Sequence, residues 1–363
     1  MPKTIRVAAI QTKRRSISYK IGGAEIAMAA VRGSLNELVE LAERAADMGC
    51  DIVAFPEDTL GVLEWESGHW DDVAALLRPA EAEMIARLGE VAARRGMAIV
   101  CCNDCADGDD VYNTAILLGR DGEEAGRYRK VQLPVGEQAR TRGDRFPVFD
   151  VEGIGSVGMC ICYDMVFPET TRALALGGAD IVFHLTMGGA SMARGDASLA
   201  AFRTRAADNF IYLVVAFRGG GSIVIGPQGE VLADGAREPD AIVTADIDLS
   251  AGREAGDALG GTVSDFRARL FGERVPSAYG ILTDAMTPGI ERLRHVDVPS
   301  GEEAAALSAE GMTTGADAFY EADRLRAKGE HEEARLRFEH LSERFGTLWI
   351  GRVARERLDA MDD

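Results

Sequence analysis

No uninterrupted apolar run in these 363 residues approaches the roughly 20 that a bilayer-spanning helix requires, so a membrane-embedded role is not expected. Positive charge is also short: 40 Lys and Arg stand against 59 Asp and Glu, a formal charge of -19 that repels phosphate backbones and anionic lipids. Nucleic acid and membrane surfaces are therefore poor partners. Cysteine is sparse, with six in the chain, and no secretory signal is evident; free thiols in a reducing, cytoplasmic compartment are expected rather than a disulfide framework. The histidines His69, His184, His295, His331 and His340 form no paired motif. Cys102-x-x-Cys105 has the spacing of half a zinc site, but the second half is missing. Cys101, Cys102 and Cys105 are read as core packing, and neither a metal nor an organic cofactor is expected.

What is present suffices for a large core, since 47% of the residues are hydrophobic. Residues 5–10 read as a buried strand. Ser34, with Glu37 three residues on, has the form of a capping box and predicts a helix to about residue 48, closed by Gly49. Strand 51–55, helix 79–95 ended by Gly96, and strand 97–102 follow. Segments 112–118 and 124–131 flank Arg120-Asp121-Gly122, a hairpin signal. Segments 157–162, 181–184, 211–216 and 222–225 carry further strands. The alternation predicts an α/β chain.

Within that frame Gly158-Met159-Cys160-Ile161-Cys162-Tyr163-Asp164 runs an apolar strand into a helix start at the Cys162 sulfur. Such a turn displays a nucleophile. Pro168 and Glu169 suit the first turn of the following helix, proline because no N–H partner is needed there and glutamate because it faces the positive end of the dipole. Earlier in the chain, Ala54-Phe55-Pro56-Glu57 closes one apolar run and Arg129-Lys130-Val131-Gln132-Leu133-Pro134 lies between it and the cysteine. A free thiol with a pKa near 8.5 is mostly protonated at neutral pH, so nucleophilic attack needs a base and a cation nearby. Glu57 is the candidate base, and Lys130 the candidate cation that opposes negative charge on a tetrahedral oxygen.

These residues together resemble the carbon-nitrogen hydrolase (nitrilase) superfamily, whose members use a Glu-Lys-Cys triad to cleave non-peptide C–N bonds. The resemblance spans about residues 7–282. It includes Tyr112-Asn113-Thr114-Ala115, Gly136-Glu137, Gly178-Ala179-Asp180-Ile181, the run from Arg203 to Asn209, and Ile225-Gly226-Pro227-Gln228-Gly229-Glu230. It implies an αββα sandwich that pairs into a four-layer homodimer or a higher homo-oligomer. It also implies catalysis by Glu57, Lys130 and Cys162, a supporting Glu137, and the Tyr163 backbone N–H as second oxyanion donor. Cys162-Tyr163-Asp164 resembles the amidase and carbamoylase branches, whereas nitrilases proper favour Cys-Trp-Glu, so a small amide or ureido substrate is expected. An acyltransferase using the same thioester, or a catalytically silent adaptor binding through its tail, are the alternatives. Taken singly, Cys162 reads as a core thiol, Glu57 as a cap or loop carboxylate, Lys130 as a surface cation and Glu137 as a loop residue.

Several positions depart from the resemblance. Gln132 stands where many relatives carry histidine, and His184-Leu185-Thr186-Met187-Gly188 replaces a common segment beside the pocket, making Gln132, His184, Thr186 and Met187 candidate substrate contacts. Arg140, Arg142 and Arg145 read either as solvated surface or as a charge that binds a substrate carboxylate through a guanidinium fork, with Arg142 the position to test. Residues 13–33 look like an insert lengthening the first connection. The chain divides at about 287: residues 288–363 form a helical extension in which Leu325, Gly329, Ala334 and Phe338 fit either one tetratricopeptide-type hairpin or an ordinary amphipathic helix pair.

Overall fold

Strand β1 (Thr4–Gln11) is apolar on both faces, Ile5, Val7 and Ala9 on one and Ala8 and Ile10 on the other, so it has to be covered from both sides. The computed structural model describes residues 4–13, 15–187, 196–235, 240–250, 266–296, 300–346 and 348–362. In chain order β1 is followed by β2 (Ile52–Ala54), β3 (Ala98–Asp107), β4 (Asp110–Leu118), β5 (Glu124–Arg129) and β6 (Val148–Val151). Then come β7 (Gly155–Ile161), β8 (Ile181–Thr186), β9 (Tyr212–Phe217), β10 (Ile223–Ile225), β11 (Val231–Asp234) and β12 (Ala241–Asp248). They make two six-stranded sheets, β12-β1-β2-β3-β4-β5 and β11-β10-β9-β8-β7-β6. Parallel pairing is confined to β1-β2-β3 and β7-β8-β9.

The two inner faces meet through Val7, Ala9, Ile52, Val100, Met159, Ile161, Phe183 and Val214. Helices α1 (Ala24–Asp47), α2 (Leu63–Gly68) and α3 (Val73–Arg95) lie on the first-sheet side, and the long ones, α1 and α3, cover its outer face with Leu35, Leu38, Leu76, Met84 and Leu88. Helices α4 (Pro168–Leu176) and α5 (Asp196–Ala207) cover the other outer face with Leu174, Phe202 and Ala206. The result is the expected αββα sandwich.

Helix α1 begins ten residues before the expected Ser34 start, and Ser34 lies inside it. Ala27, Met28 and Val31 extend the buried stripe of Leu35 and Leu38, so tertiary burial overrides the local capping signal. Glu37 instead binds Lys13 and Arg15, at 2.8 and 2.9 Å. The supposed insert 13–33 is thus half helix. Helix α3 likewise starts at Val73 and carries Pro79 in its interior. Pro79 and Ala75, whose carbonyl loses its donor, are both exposed, so water can satisfy that oxygen. Strand β3 runs past Cys102 to Asp107 because its whole length pairs with β4. On that strand Cys102 faces the inter-sheet layer and Cys105 the helix layer, so the two thiols cannot share a metal.

The remaining helices are α6 (Phe266–Gly272), α7 (Pro288–Leu293), α8 (Gly301–Glu310), α9 (Ala316–Ala327), α10 (His331–Phe345) and α11 (Trp349–Asp362). Helices α9 and α10 form a helical pair, with Gly329 at φ +85° in the turn, and α11 adds a third member. Phe319, Ala334, Phe338, Leu341 and Ile350 give this extension a core of its own. It also docks on the same chain's sandwich: Asp317 accepts from the Tyr19 hydroxyl at 2.6 Å and pairs with Lys20 at 2.6 Å.

Candidate active site

Glu57, Lys130 and Cys162 each sit just past the end of a strand. The turn after β2 is pinned to β3, with Phe55 N–H donating to the Val100 carbonyl at 2.8 Å and Thr59 N–H to the Cys102 carbonyl at 2.7 Å. Glu57, between them, is 4% exposed. Lys130 follows β5, its N–H donating to the Asn113 carbonyl at 2.8 Å, and is completely buried. Cys162 follows β7 at φ +45°, a conformation that a non-glycine residue adopts only under constraint. A short 3-10 turn, Cys162–Val166, then leads into α4 at Pro168, as the sequence anticipates.

The constraint on Cys162 is supplied by Asp164. One carboxylate oxygen of Asp164 accepts the Ile161 N–H at 2.9 Å and the Tyr128 hydroxyl at 2.7 Å; the other accepts the Gln132 N–H at 2.9 Å. Residues flanking Lys130 are thereby tied to the turn that carries the sulfur. Burial raises Asp164 to about 6 despite these donors.

Lys130 Nζ reaches Glu57 Oε1 at 3.0 Å and Glu137 Oε2 at 2.8 Å. Asn113 donates its amide to Glu57 Oε1 at 2.8 Å, and the Met187 N–H donates to Oε2 at 3.1 Å. Burial acts to raise the Glu57 pKa, but the Lys130 charge and these hydrogen bonds hold it below the usual carboxylate range. Burial also opposes charge on Lys130, and Glu137 and Glu57 outweigh it, keeping the ammonium protonated. Around the sulfur, burial and the charges of Glu57 and Glu137 prevail over Lys130 and a hydrogen bond with Thr186, so the Cys162 thiol is raised. The resting pair is carboxylate and thiol. The cation alone does not make a standing thiolate.

The structure thus gathers Glu57, Lys130, Glu137, Thr186 and the Met187 backbone around Cys162. Three other expected contacts lie apart from this cluster. Gln132 joins through its backbone, and Arg142 is turned onto the Val131 carbonyl and the Gln138 amide at 3.3 and 3.1 Å. His184 is wholly buried on the helix-facing side of β8, its Nδ1 3.5 Å from Cys160 Sγ and its ring against Phe202. Gly188 lies outside the described residues. Arg140 is no solvated surface residue: its side chain is 8% exposed and pairs with Asp104 at 2.5 Å and Glu66 at 3.0 Å. Beside it Asp58 pairs with Arg218, and a cavity of about 20 Å³ lies among Glu57, Asp58, Glu66, Asp104, Asn113 and Glu137. This buried ion network was not anticipated, because its partners are far apart in sequence; the only local hint was Asp58 next to Glu57.

Residues 6–257 match the family model described as carbon-nitrogen hydrolase. The chain belongs to the carbon-nitrogen hydrolase family. Among curated relatives of this carbon-nitrogen hydrolase, a protein named nitrilase from Pyrococcus abyssi is 33% identical over 223 residues, 58% of this chain and 81% of that one. An (R)-stereoselective amidase from Pseudomonas sp. is 30% identical over 237 residues, 62% of this chain and 82% of the relative. Among solved structures, a variant of an amidase from Nesterenkonia sp. carries acrylamide at its active-site cysteine by Michael addition. The chain matches it at 26% identity and a TM-score of 0.56, covering 69% of this chain and 96% of that one. Among the described residues no helix of the hydrolase is long and apolar enough to cross a membrane.

Proposed function

We propose that this carbon-nitrogen hydrolase cleaves small amides, or N-carbamoyl compounds, through a thioester on Cys162. The observation that carries the reading is the Glu57 carboxylate: buried, held ionised by Lys130, Asn113 and the Met187 N–H, and set beside a protonated thiol. The sulfur attacks the carbonyl carbon while its proton passes to Glu57. Lys130 and the Tyr163 N–H oppose the charge on the tetrahedral oxygen, a role in which each donor contributes roughly 3–4 kcal/mol. Glu57 then gives the proton to the leaving nitrogen, and ammonia or an amine departs. Water attacks the thioester with Glu57 taking its proton, the C–S bond breaks, and the thiol is restored. Glu137 is the second carboxylate on Lys130, at 2.8 Å, and acts through that ammonium, not on a reacting atom.

Cys-Tyr-Asp at the nucleophile and the amidase names among the relatives favour an amide over a nitrile. A panel of aliphatic amides, ureido acids and nitriles, followed by ammonia release, tests this. Turnover of amides or ureido acids that vanishes in Cys162→Ala supports the reading; turnover of nitriles alone overturns the substrate class. The same reading takes a homodimer as the working assembly, as the family resemblance implies, checked by sedimentation of the full chain.

A further inference from the structure

The turn that carries Glu137 is covered by the C-terminal extension. Residues Val135–Glu137 form a single 3-10 turn with no side-chain cap. Helix α8 lies against it with Gly301, Ala304 and Ser308, residues three and four apart and therefore on one face. The approach is close enough that a Cβ added to Gly136 would meet Ser308 Cβ and Oγ at 3.0 Å, and one added to Gly301 would meet Gln138 Cβ at 3.1 Å. Gly136 is not in the left-handed region, so what a side chain there would press on is the helix and not its own backbone. A second dock, Asp317 on Tyr19 and Lys20, fixes the extension to the loop after β1.

We propose that helix α8 is a positioning element for Glu137: the extension, docked on its own catalytic module, sets where the Glu137 carboxylate meets Lys130. This rests on the reading above of Glu137 as the support of Lys130. The carboxylate is 2.8 Å from Lys130 Nζ, and its side chain is 25% exposed, so burial in the sandwich does not by itself enclose it. Packing of α8 on Gly136 closes the turn from the side away from the sandwich core. Release of the extension shifts the turn, and the catalytic ammonium loses one of its two carboxylates.

The test is a size-complementation series in the full chain. Gly136→Val is expected to lower kcat/KM roughly tenfold to a hundredfold, the effect of a misplacement of about 1 Å. Ser308→Gly in the same chain, which removes the opposing atoms, is expected to restore most of it. Glu137→Gln combined with Gly136→Val should be no worse than Glu137→Gln alone, since both act through one group. Ser308→Leu adds bulk from the other side and serves if Gly136→Val does not fold. Leu336→Ala, 66% exposed on α10, should leave the rate unchanged. Wild-type kinetics in Gly136→Val and Ser308→Leu, no rescue by Ser308→Gly, or losses that add to that of Glu137→Gln would overturn the proposal. Retention of turnover in Cys162→Ala would instead remove the thioester reading itself.

Discussion

The Asp164 carboxylate accepts the Gln132 N–H at 2.9 Å and so ties the segment after Lys130, on one sheet, to the turn that starts at Cys162, on the other. A cluster such as Glu57, Lys130 and Cys162, drawn from strands of two sheets, depends on such ties, because nothing in the pairing of either sheet fixes the distance between them. Asp164→Asn replaces an acceptor with a donor opposite the Ile161 N–H or the Gln132 N–H and should cost about 1–3 kcal/mol. Denaturant unfolding measures it, with a parallel fall in turnover. Because burial lifts the folded pKa to about 6, above the usual 3.8, the stability this carboxyl contributes is present below pH 3.8 and lost as pH rises through 6. The variant should lack that part of the profile.

Glu57→Gln should have two opposite effects. Turnover should fall by roughly 10²–10⁴ or more as the proton acceptor is lost. The Cys162 thiol, freed from one of the negative charges that raise it, should titrate at lower pH. Thiolate ultraviolet absorbance against pH measures the second effect; an upward shift would mean that Glu57 does not act on the sulfur.

His184 is held neutral by burial, which drives its pKa from 6.5 down to about 3. A depressed folded pKa gives stability that is complete above pH 6.5 and lost as pH falls toward 3, while the unfolded chain takes up the proton. His184→Leu should therefore lose less stability than the wild type between pH 7 and pH 4 in urea melts. Turnover near neutral pH should be largely kept, as the ring faces Cys160 and Phe202 and not the sulfur.

Arg218 and Asp58 are each 8% exposed and form an ion pair between the loops that follow β9 and β2. Arg218→Met strands a buried carboxylate next to Glu57 and should cost roughly 3–5 kcal/mol. Adding Asp58→Asn should recover part of that cost. Equal thermal stability of wild type and single variant would show that the pair does not stabilise the fold.

The strand-to-helix turn at Cys162 was legible because the apolar run 157–161 and Pro168 are local signals, and Glu57 and Lys130 because each closes or follows such a run. The hairpin 110–129 was legible for the same reason. What failed was wherever a distant contact outweighed a local one. Ser34 looks like a helix cap until Ala27, Met28 and Val31 are seen packing on the sheet, and Pro79 looks like a helix start until Val73 and Leu76 are seen buried ahead of it. Arg140 looks like one of three surface arginines until Asp104 and Glu66 arrive from elsewhere in the chain. His184 sits in strand β8 with its ring on the helix side, which alternation fixes only once the register with Cys160 is known.

The most direct measurement is intact mass of the enzyme quenched during turnover of an amide, followed by peptide mapping. An acyl adduct on the peptide carrying Cys162, absent in Cys162→Ala and accumulating in Glu57→Gln, is the predicted result. Turnover with no adduct on that peptide, or undiminished ammonia release by Cys162→Ala, would contradict it.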